Sequence, residues 1–268
     1  MSTASSAFTG AIPDHYERHL VPVIFEPYAQ DLVGRIPAND GATVLEVACG
    51  TGVVTRRLLD RLPVSARIVA TDLNEGMIAT ARSCTPKDAR LDWRTADGTA
   101  LPFGVGEFDA VVCQFGVMFF PDKLAGFREA RRVIKPGGRF VFNVWDDFEH
   151  NAFGRLAHTT IAGFFDSDPP QFYFTPFGYH DAAEIERALR EAGFQRVCVE
   201  QVAKEVSAAS ARDFAIGLVR GNPVALTIAE RGVDAERVVD ALAAALAREC
   251  GDAPMRCPTR ALVVTAEG

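Results

Sequence analysis

The residues that could do chemistry begin at Glu46-Val-Ala-Cys-Gly-Thr-Gly52, where two glycines interrupt a largely apolar run. Gly50 and Gly52 let the backbone turn sharply and approach a ligand, and a helix starting there would present unpaired N–H groups to an anionic group. Asp72 follows 20 residues after Gly52, at the end of the next β-branched run, where a carboxylate can accept both hydroxyls of a ribose. A structural tight turn would explain the glycines alone; with an acidic strand end at this distance they imply a nucleoside-containing ligand. Glu46 sits inside an apolar strand, where an unpartnered carboxylate is costly. The side chains best suited to move protons near neutral pH are His15, His19, His150, His158 and His180. His15 and His19 have a spacing that suits a metal, but no third ligand accompanies them, so a solvated helix face and no metal are expected.

The elements that must position these groups read, over the first half, as strands alternating with helices. Strands are expected at 43–48, 67–71, 91–96, 108–114 and 139–145, the last introduced by the turn Lys135-Pro-Gly-Gly138. Helical content follows at 53–59 and 75–82. This alternation implies a mostly parallel sheet covered on both faces, with right-handed crossovers. The second half differs: a helix at 182–192 closed by Gly193, a sixth strand at 194–199, helical segments at 208–220, 223–230 and 234–249, and a seventh strand at 261–265. Nine aromatic residues fall between Phe148 and Tyr179, too many for a plain solvated loop. They form a mini-core, an apolar ligand pocket, or both.

Composition bounds the rest. With 268 residues, 48% hydrophobic and 24% charged, the chain can bury a sizeable core and is not largely disordered. A net charge of −7 disfavours a nucleic-acid partner, because phosphate neutralisation needs a basic surface. No apolar run approaches a membrane span, and the first ten residues lack the basic and apolar regions of a secretory signal. The six cysteines, at 49, 84, 113, 198, 250 and 257, form no C-x-x-C pair, so neither a zinc knuckle nor a disulfide scaffold is expected. The cytoplasm is the expected compartment.

In its motifs the chain resembles the class I S-adenosylmethionine-dependent methyltransferases, in the branch of the ubiquinone/menaquinone C-methyltransferases. The segments that carry the resemblance are Val44-Leu-Glu-Val-Ala-Cys-Gly-Thr-Gly52, Asp72, Asp97-Gly-Thr-Ala-Leu-Pro-Phe103, Phe108-Asp-Ala-Val-Val-Cys-Gln-Phe-Gly116 with Phe119-Phe-Pro-Asp122, and Ile134-Lys-Pro-Gly-Gly138. They span residues 40–145 in order; the remainder matches only in strand order.

The resemblance implies an α/β, Rossmann-like, doubly wound sheet of seven strands, six parallel and the last antiparallel, with helical lid insertions before and after strand six. It implies one methyltransferase domain over 1–268, with a cofactor-binding core at 40–145, an aromatic-rich insertion at 146–180 and a helical insertion at 201–255. S-adenosyl-L-methionine would be the cofactor and S-adenosyl-L-homocysteine its product; the aromatic segment, read as the acceptor site, points to a small, apolar or ring-containing methyl acceptor. Glu46, Gly50 and Gly52 would shape the pocket for the methionine moiety, Asp72 would hold the ribose hydroxyls, and Leu73 would lie against adenine. Asp97 would accept from the adenine amino group beside the Gly98 backbone, Gln114 would sit near the sulfonium, and Tyr16 would cover the cofactor. The plainer alternatives are helix caps for Asp72 and Asp97, core packing for Leu73 and Tyr16, and a polar strand end for Gln114.

In-line methyl transfer needs alignment more than a catalytic residue. An acceptor that required a base would look to His150, His158 or His180 beside the aromatic segment. Cys113-Gln-Phe-Gly116 stands where methyltransferases of exocyclic or amide nitrogens carry Asn/Asp-Pro-Pro-aromatic, which counts against nucleobase and glutamine targets. Two other functions stay in view. An NAD(P)-binding oxidoreductase would want a third glycine where Gly50-Thr-Gly-Val-Val-Thr55 places Thr55, and has no counterpart to Asp97 and Leu101-Pro-Phe103. A non-catalytic S-adenosylmethionine-binding protein would keep the same cofactor motifs.

Overall fold

Short β-branched runs, too apolar to face water, form the centre of one sheet in the computed structural model, which describes residues 8–268. The strands are β1 (Thr43–Val47), β2 (Arg67–Asp72), β3 (Leu91–Thr95), β4 (Phe108–Gln114), β5 (Ile134–Trp145), β6 (Arg196–Ala208) and β7 (Met255–Glu267). Their order is β3-β2-β1-β4-β5-β7-β6, with β7 antiparallel to both its neighbours and the rest parallel. This is the Rossmann-like, doubly wound arrangement expected from the sequence. Strand order reverses between β1 and β4, and open α/β sheets bind ligands in the crevice beyond such a switch point. The expectation of an N-terminus without a secretory signal falls largely on residues 1–7, outside the described residues.

Helices cover the sheet. The N-terminal arm comprises α1 (Ile12–His15), a π-helical stretch (Tyr16–Phe25) and α2 (Glu26–Gly34). Pro22 lies inside the stretch; it lacks an N–H and its ring crowds the preceding turn, which accounts for the widened coil. α3 (Val53–Arg61) follows the glycine turn and packs on α2, and α4 (Glu75–Cys84) follows β2. α5 (Lys123–Val133) leads into β5 and is capped by the Asp122 carboxylate, which accepts from the Ala125 N–H at 2.9 Å. After β5 come α6 (Ala152–Ala162), α7 (Phe174–Phe177) and α8 (Ala182–Glu191); between β6 and β7 come α9 (Ala211–Arg220), α10 (Val224–Glu230) and α11 (Ala235–Cys250). No helix among the described residues is long and apolar enough to cross a membrane.

Three local expectations are corrected. The turn Lys135-Pro-Gly-Gly138 lies inside β5, because Ile134 already pairs with Phe108 while Arg139 pairs with Ala110, leaving the glycines as a bulge. β6 and β7 run well past residues 199 and 261: beyond Trp145, where β5 ends against Ala261, they continue as a two-stranded ribbon to the pair Ala208–Met255. Its alternating polar residues hid it from hydrophobic pattern, yet this ribbon carries α9 to α11 past the end of β5. Finally, Cys250 at the end of α11 and Cys257 in β7 are joined as a disulfide, although their spacing in sequence signalled nothing. The helix end and the returning strand bring them together.

Candidate functional site

A cleft of about 900 Å³ opens at the ends of β1, β2 and β4, beside the switch point. At its floor β1 gives way to a turn in which Ala48 (φ 56°) and Gly50 (φ 55°) both adopt left-handed conformations. Gly50 does so freely; for Ala48 it is a strained state held by its surroundings. The turn is clamped to β2, since the Cys49 N–H donates to the Thr71 carbonyl at 2.8 Å and the Gly50 N–H to Asp72 Oδ2 at 2.8 Å. The other carboxylate oxygen, Oδ1, accepts from the Asn74 N–H at 2.8 Å. Burial pushes the Asp72 carboxyl above its ordinary range, and those backbone donors pull it partly back.

Across the cleft, Asp97 is exposed, and its Oδ1 accepts from the Thr99 N–H at 2.8 Å and hydroxyl at 2.7 Å. Gly98 beside it has no room for a side chain: a Cβ there would fall 2.7 Å from Phe120 Cζ and 2.9 Å from Val47 Cγ1. Leu73 remains 41% exposed although it borders the cleft, an unusual place for a large aliphatic chain. Gln114 closes the end of β4; its Nε2 donates to the Phe25 carbonyl at 3.3 Å, while its buried Oε1 has no partner among the described residues. Tyr16, from the arm, lies over the turn, its hydroxyl 3.9 Å from where a Gly50 Cβ would be. Burial and the nearby Asp72 raise its hydroxyl far above the ordinary tyrosine range.

A second cavity of about 470 Å³ adjoins the first, sharing Phe8, Tyr16, Phe115 and Phe119 as common wall. Its remaining lining is drawn from the arm (Leu20, Ile24, Phe25), from the segment after β5 (Phe153, Phe172, Tyr173, Pro176, Phe177) and from the segment after β6 (Leu218, Asn222), together with Met118 and Trp145. Phe115 and Trp145 stack at 3.9 Å between ring centres, and Phe172 stacks against Phe119 at 6.3 Å. No carboxylate, histidine or lysine of the described residues lines it.

The structure brings Tyr16, Gly50, Asp72, Leu73, Asp97, Gly98 and Gln114 to the cleft. Glu46 and Gly52 are not in its lining. Glu46 is buried one layer beneath, its Oε2 accepting from the Thr55 hydroxyl at 2.5 Å, and burial pushes its carboxyl up to about 8. Gly52 instead packs α3 against α4, with a Cβ there lying 3.2 Å from Ala81 Cβ and 3.3 Å from Trp93 Cη2. The three histidines border neither cavity. His150 is tied through Nδ1 to Asp147 at 2.7 Å, His158 packs between Phe148 and Phe174, and His180 is exposed. Burial lowers the affinity of His158 for a proton. His15 and His19 are half-buried: their rings stack at 6.0 Å, and a Cβ on Gly217 of α9 would meet His19 Cβ at 2.8 Å. Asp146, Asp147 and His150 group their ligand atoms within 4.8 Å, but Asp146 Oδ2 is paired with Arg260 at 2.5 Å and Asp147 Oδ1 with His150.

Sequence reasoning missed Asn143, the one amide in Phe140-Val-Phe-Asn-Val-Trp145 of β5. It is fully buried, and its Oδ1 accepts from the Phe115 N–H at 2.9 Å, holding Phe115 in its left-handed conformation (φ 49°) on the wall between the two cavities. A lone polar residue in the otherwise apolar run 140–145 was the available signal. Asn143→Leu is expected to lower stability by only about 1 kcal/mol, because the Phe115 N–H keeps a longer bond to the Asn143 carbonyl. It should also loosen S-adenosylhomocysteine binding; urea unfolding and calorimetry read the two effects, and no change in either would dismiss the positioning role.

The comparisons with known proteins agree with this geometry. Residues 45–142 match the methyltransferase domain family. Over 178 residues the chain is 35% identical to the ubiquinone/menaquinone biosynthesis C-methyltransferase UbiE of Paracoccus denitrificans, an alignment covering 59% of this chain and 68% of that protein. The chain belongs to the class I S-adenosylmethionine-dependent methyltransferases, in the ubiquinone/menaquinone C-methyltransferase branch. The same-named enzyme of Geobacter sulfurreducens is 39% identical over 106 residues, which cover 38% of this chain and only 41% of that one, so likeness concentrates in the core. Among solved structures, the phosphoethanolamine N-methyltransferase 2 of Haemonchus contortus with S-adenosylhomocysteine superposes with a TM-score of 0.61 at 16% identity, over 95% of this chain and 56% of that one; this is a likeness of fold. As a methyltransferase, the chain uses S-adenosylmethionine, and neither the oxidoreductase nor the non-catalytic reading stands. Thr55, which disfavoured a dinucleotide fingerprint, has its own use in this methyltransferase as the partner of Glu46.

Proposed function

We propose that the 900 Å³ cleft holds S-adenosylmethionine and that the adjoining 470 Å³ cavity holds the methyl acceptor, a small, largely apolar, ring-containing molecule. The observation that carries this reading is the shared wall. A cleft with two carboxylates and an unpartnered amide oxygen meets an aromatic chamber across Phe8, Tyr16, Phe115 and Phe119. Residues present fit the cofactor. Gln114 Oε1 is a buried acceptor in need of a donor, such as the ammonium of a methionine moiety. Asp72 suits the ribose hydroxyls, the exposed Leu73 and the bare Gly98 backbone suit a flat adenine, and Asp97 suits its amino group.

Bound S-adenosylmethionine supplies a methyl group already activated on a sulfonium. The chain's part is then to orient and to dry the site. Phe115 and Tyr16 border both chambers and separate acceptor from cofactor, and the aromatic walls exclude water that would compete as a nucleophile. Tyr16 and Tyr173, raised by burial, keep their protons and act as hydrogen-bonding groups, not bases. The relatives' names, which specify ubiquinone and menaquinone biosynthesis, favour a quinone-related ring as the acceptor. The whole chain is read as one methyltransferase domain, with residues 40–145 binding cofactor and the segments at 146–180 and 201–255 capping the acceptor.

Phe172 tests this division, because it borders the second cavity and is absent from the first. Methyl transfer from labelled S-adenosylmethionine to a panel of hydroxylated benzenes and naphthalenes should identify a turned-over acceptor. Phe172→Ala should then raise the acceptor KM about tenfold, the worth of one aromatic contact, with S-adenosylhomocysteine affinity unchanged. An equal loss of cofactor and acceptor affinity would refute two separate chambers.

A further inference from the structure

The acceptor chamber is lined by carbon except at a few points, and one of these is oriented for recognition. Asn222 stands in the turn between α9 and α10. Its Nδ2 donates to the Leu218 carbonyl at 3.1 Å and to the Tyr173 hydroxyl at 3.5 Å. Tyr173 is itself buried and donates to the same Leu218 carbonyl at 2.7 Å. Nδ2 is therefore held by two acceptors that stand together, one proton shared between them, which fixes the plane of the amide, and Oδ1 is left without a partner among the described residues. The turn is also fixed in place. A Cβ on Gly221 would fall 2.7 Å from the Gly217 carbonyl oxygen and 3.0 Å from the Tyr16 nitrogen, so the residue preceding Asn222 is seated directly against the residue that borders both chambers.

We propose that Asn222 determines acceptor specificity, its Oδ1 accepting a hydrogen bond from a hydroxyl carried by the ring. The proposal rests on the reading of this cavity as the acceptor chamber. A ring hydroxyl entering an aromatic chamber loses its water and must find a partner, or its burial is penalised. Asn222 offers Oδ1 as its unpartnered acceptor, because Nδ2 is held within the cap by Leu218 and Tyr173. It thus favours O–H over the corresponding methyl ether, which keeps the oxygen and lacks the proton, and over a methyl group, which keeps only the shape. The same bond fixes one rotation of the ring in the chamber, which is the requirement for presenting a single atom to the cofactor.

The test uses the full chain saturated with S-adenosylhomocysteine and three probes of nearly equal shape: 1-naphthol, 1-methoxynaphthalene and 1-methylnaphthalene. Calorimetry should find 1-naphthol bound about tenfold more tightly than the other two, the worth of one buried hydrogen bond. In Asn222→Leu, and in Asn222→Ala, the three should bind alike while S-adenosylhomocysteine affinity stays as in the parent chain. Equal binding of the three probes by the parent chain would overturn the role of Asn222 and leave the acceptor chamber standing, as would a preference that survives both substitutions. Failure of all three probes to bind would overturn the chamber and, with it, the proposal.

Discussion

Asp72→Ala is expected to weaken S-adenosylhomocysteine binding by about a hundredfold while the protein stays folded, since two hydrogen bonds to a charged group at about 1.5 kcal/mol each are lost. The site of the change decides both halves of that expectation. Asp72 borders the cleft at the end of β2, only 7% exposed, and it is the one carboxylate whose two oxygens already face donors from both β1's turn and its own strand end. Ribose hydroxyls would add to those donors. Removing the side chain orphans the Gly50 and Asn74 N–H groups, which costs stability. It also removes a carboxylate whose raised pKa shows that burial disfavours its charge, and the two effects offset. Titration calorimetry with S-adenosylhomocysteine, beside a thermal melt of both proteins, reads the result. Affinity equal to the parent's would refute the ribose role, and an unfolded variant would refute the offset.

Glu46→Gln is expected to change how stability responds to pH. Burial holds the Glu46 carboxyl up at about 8 in the folded chain, against an ordinary value of 4.5, with the Thr55 hydroxyl as its partner. Between those values the folded state keeps a proton that the unfolded chain has released. Unfolding free energy therefore falls as pH rises through this window, by up to about 1.4 kcal/mol per pH unit for one group, and is level above it. Glutamine keeps the shape and can still accept from Thr55, but it does not titrate. Relative to the parent, the variant should gain stability progressively from pH 5 to pH 8, on the order of 4 kcal/mol across the window. Urea unfolding of both proteins at several pH values gives the difference, in which the similar contribution of Asp72 cancels. A difference that stays constant with pH would show that Glu46 is charged in the folded chain.

How much of this was legible without coordinates depended on whether a feature was local. Gly50, Asp72, Asp97 with Gly98, and Gln114 each sit at or just past the end of a strand, so their positions followed once the strands were recognised, and all of them border the cleft. Glu46 was marked by being a carboxylate in an apolar strand, but only the packing shows that it lies beneath the cleft beside Thr55. The aromatic segment after β5 was legible as something other than solvated loop. Its histidines were not separable from its rings by sequence, and the structure leaves all three outside both cavities. β6 and β7 were underestimated because a ribbon with one wet face has no continuous hydrophobic run.

The sequence alone determined the α/β order of elements and the residues at the strand ends, because these depend on propensity, periodicity and turn chemistry within a few residues; the strand order, and with it the switch point between β1 and β4, came from the tertiary structure. Tertiary structure alone decided the second, aromatic cavity. Its walls come from the N-terminal arm, β5, the segment around α7 and the turn after α9, which are far apart in sequence and meet only in the folded chain. Asn222 and Asn143 take their places in the same way. Each is an ordinary amide in sequence, and each is defined by partners, Tyr173 and Leu218 for one and Phe115 for the other, that burial alone selects.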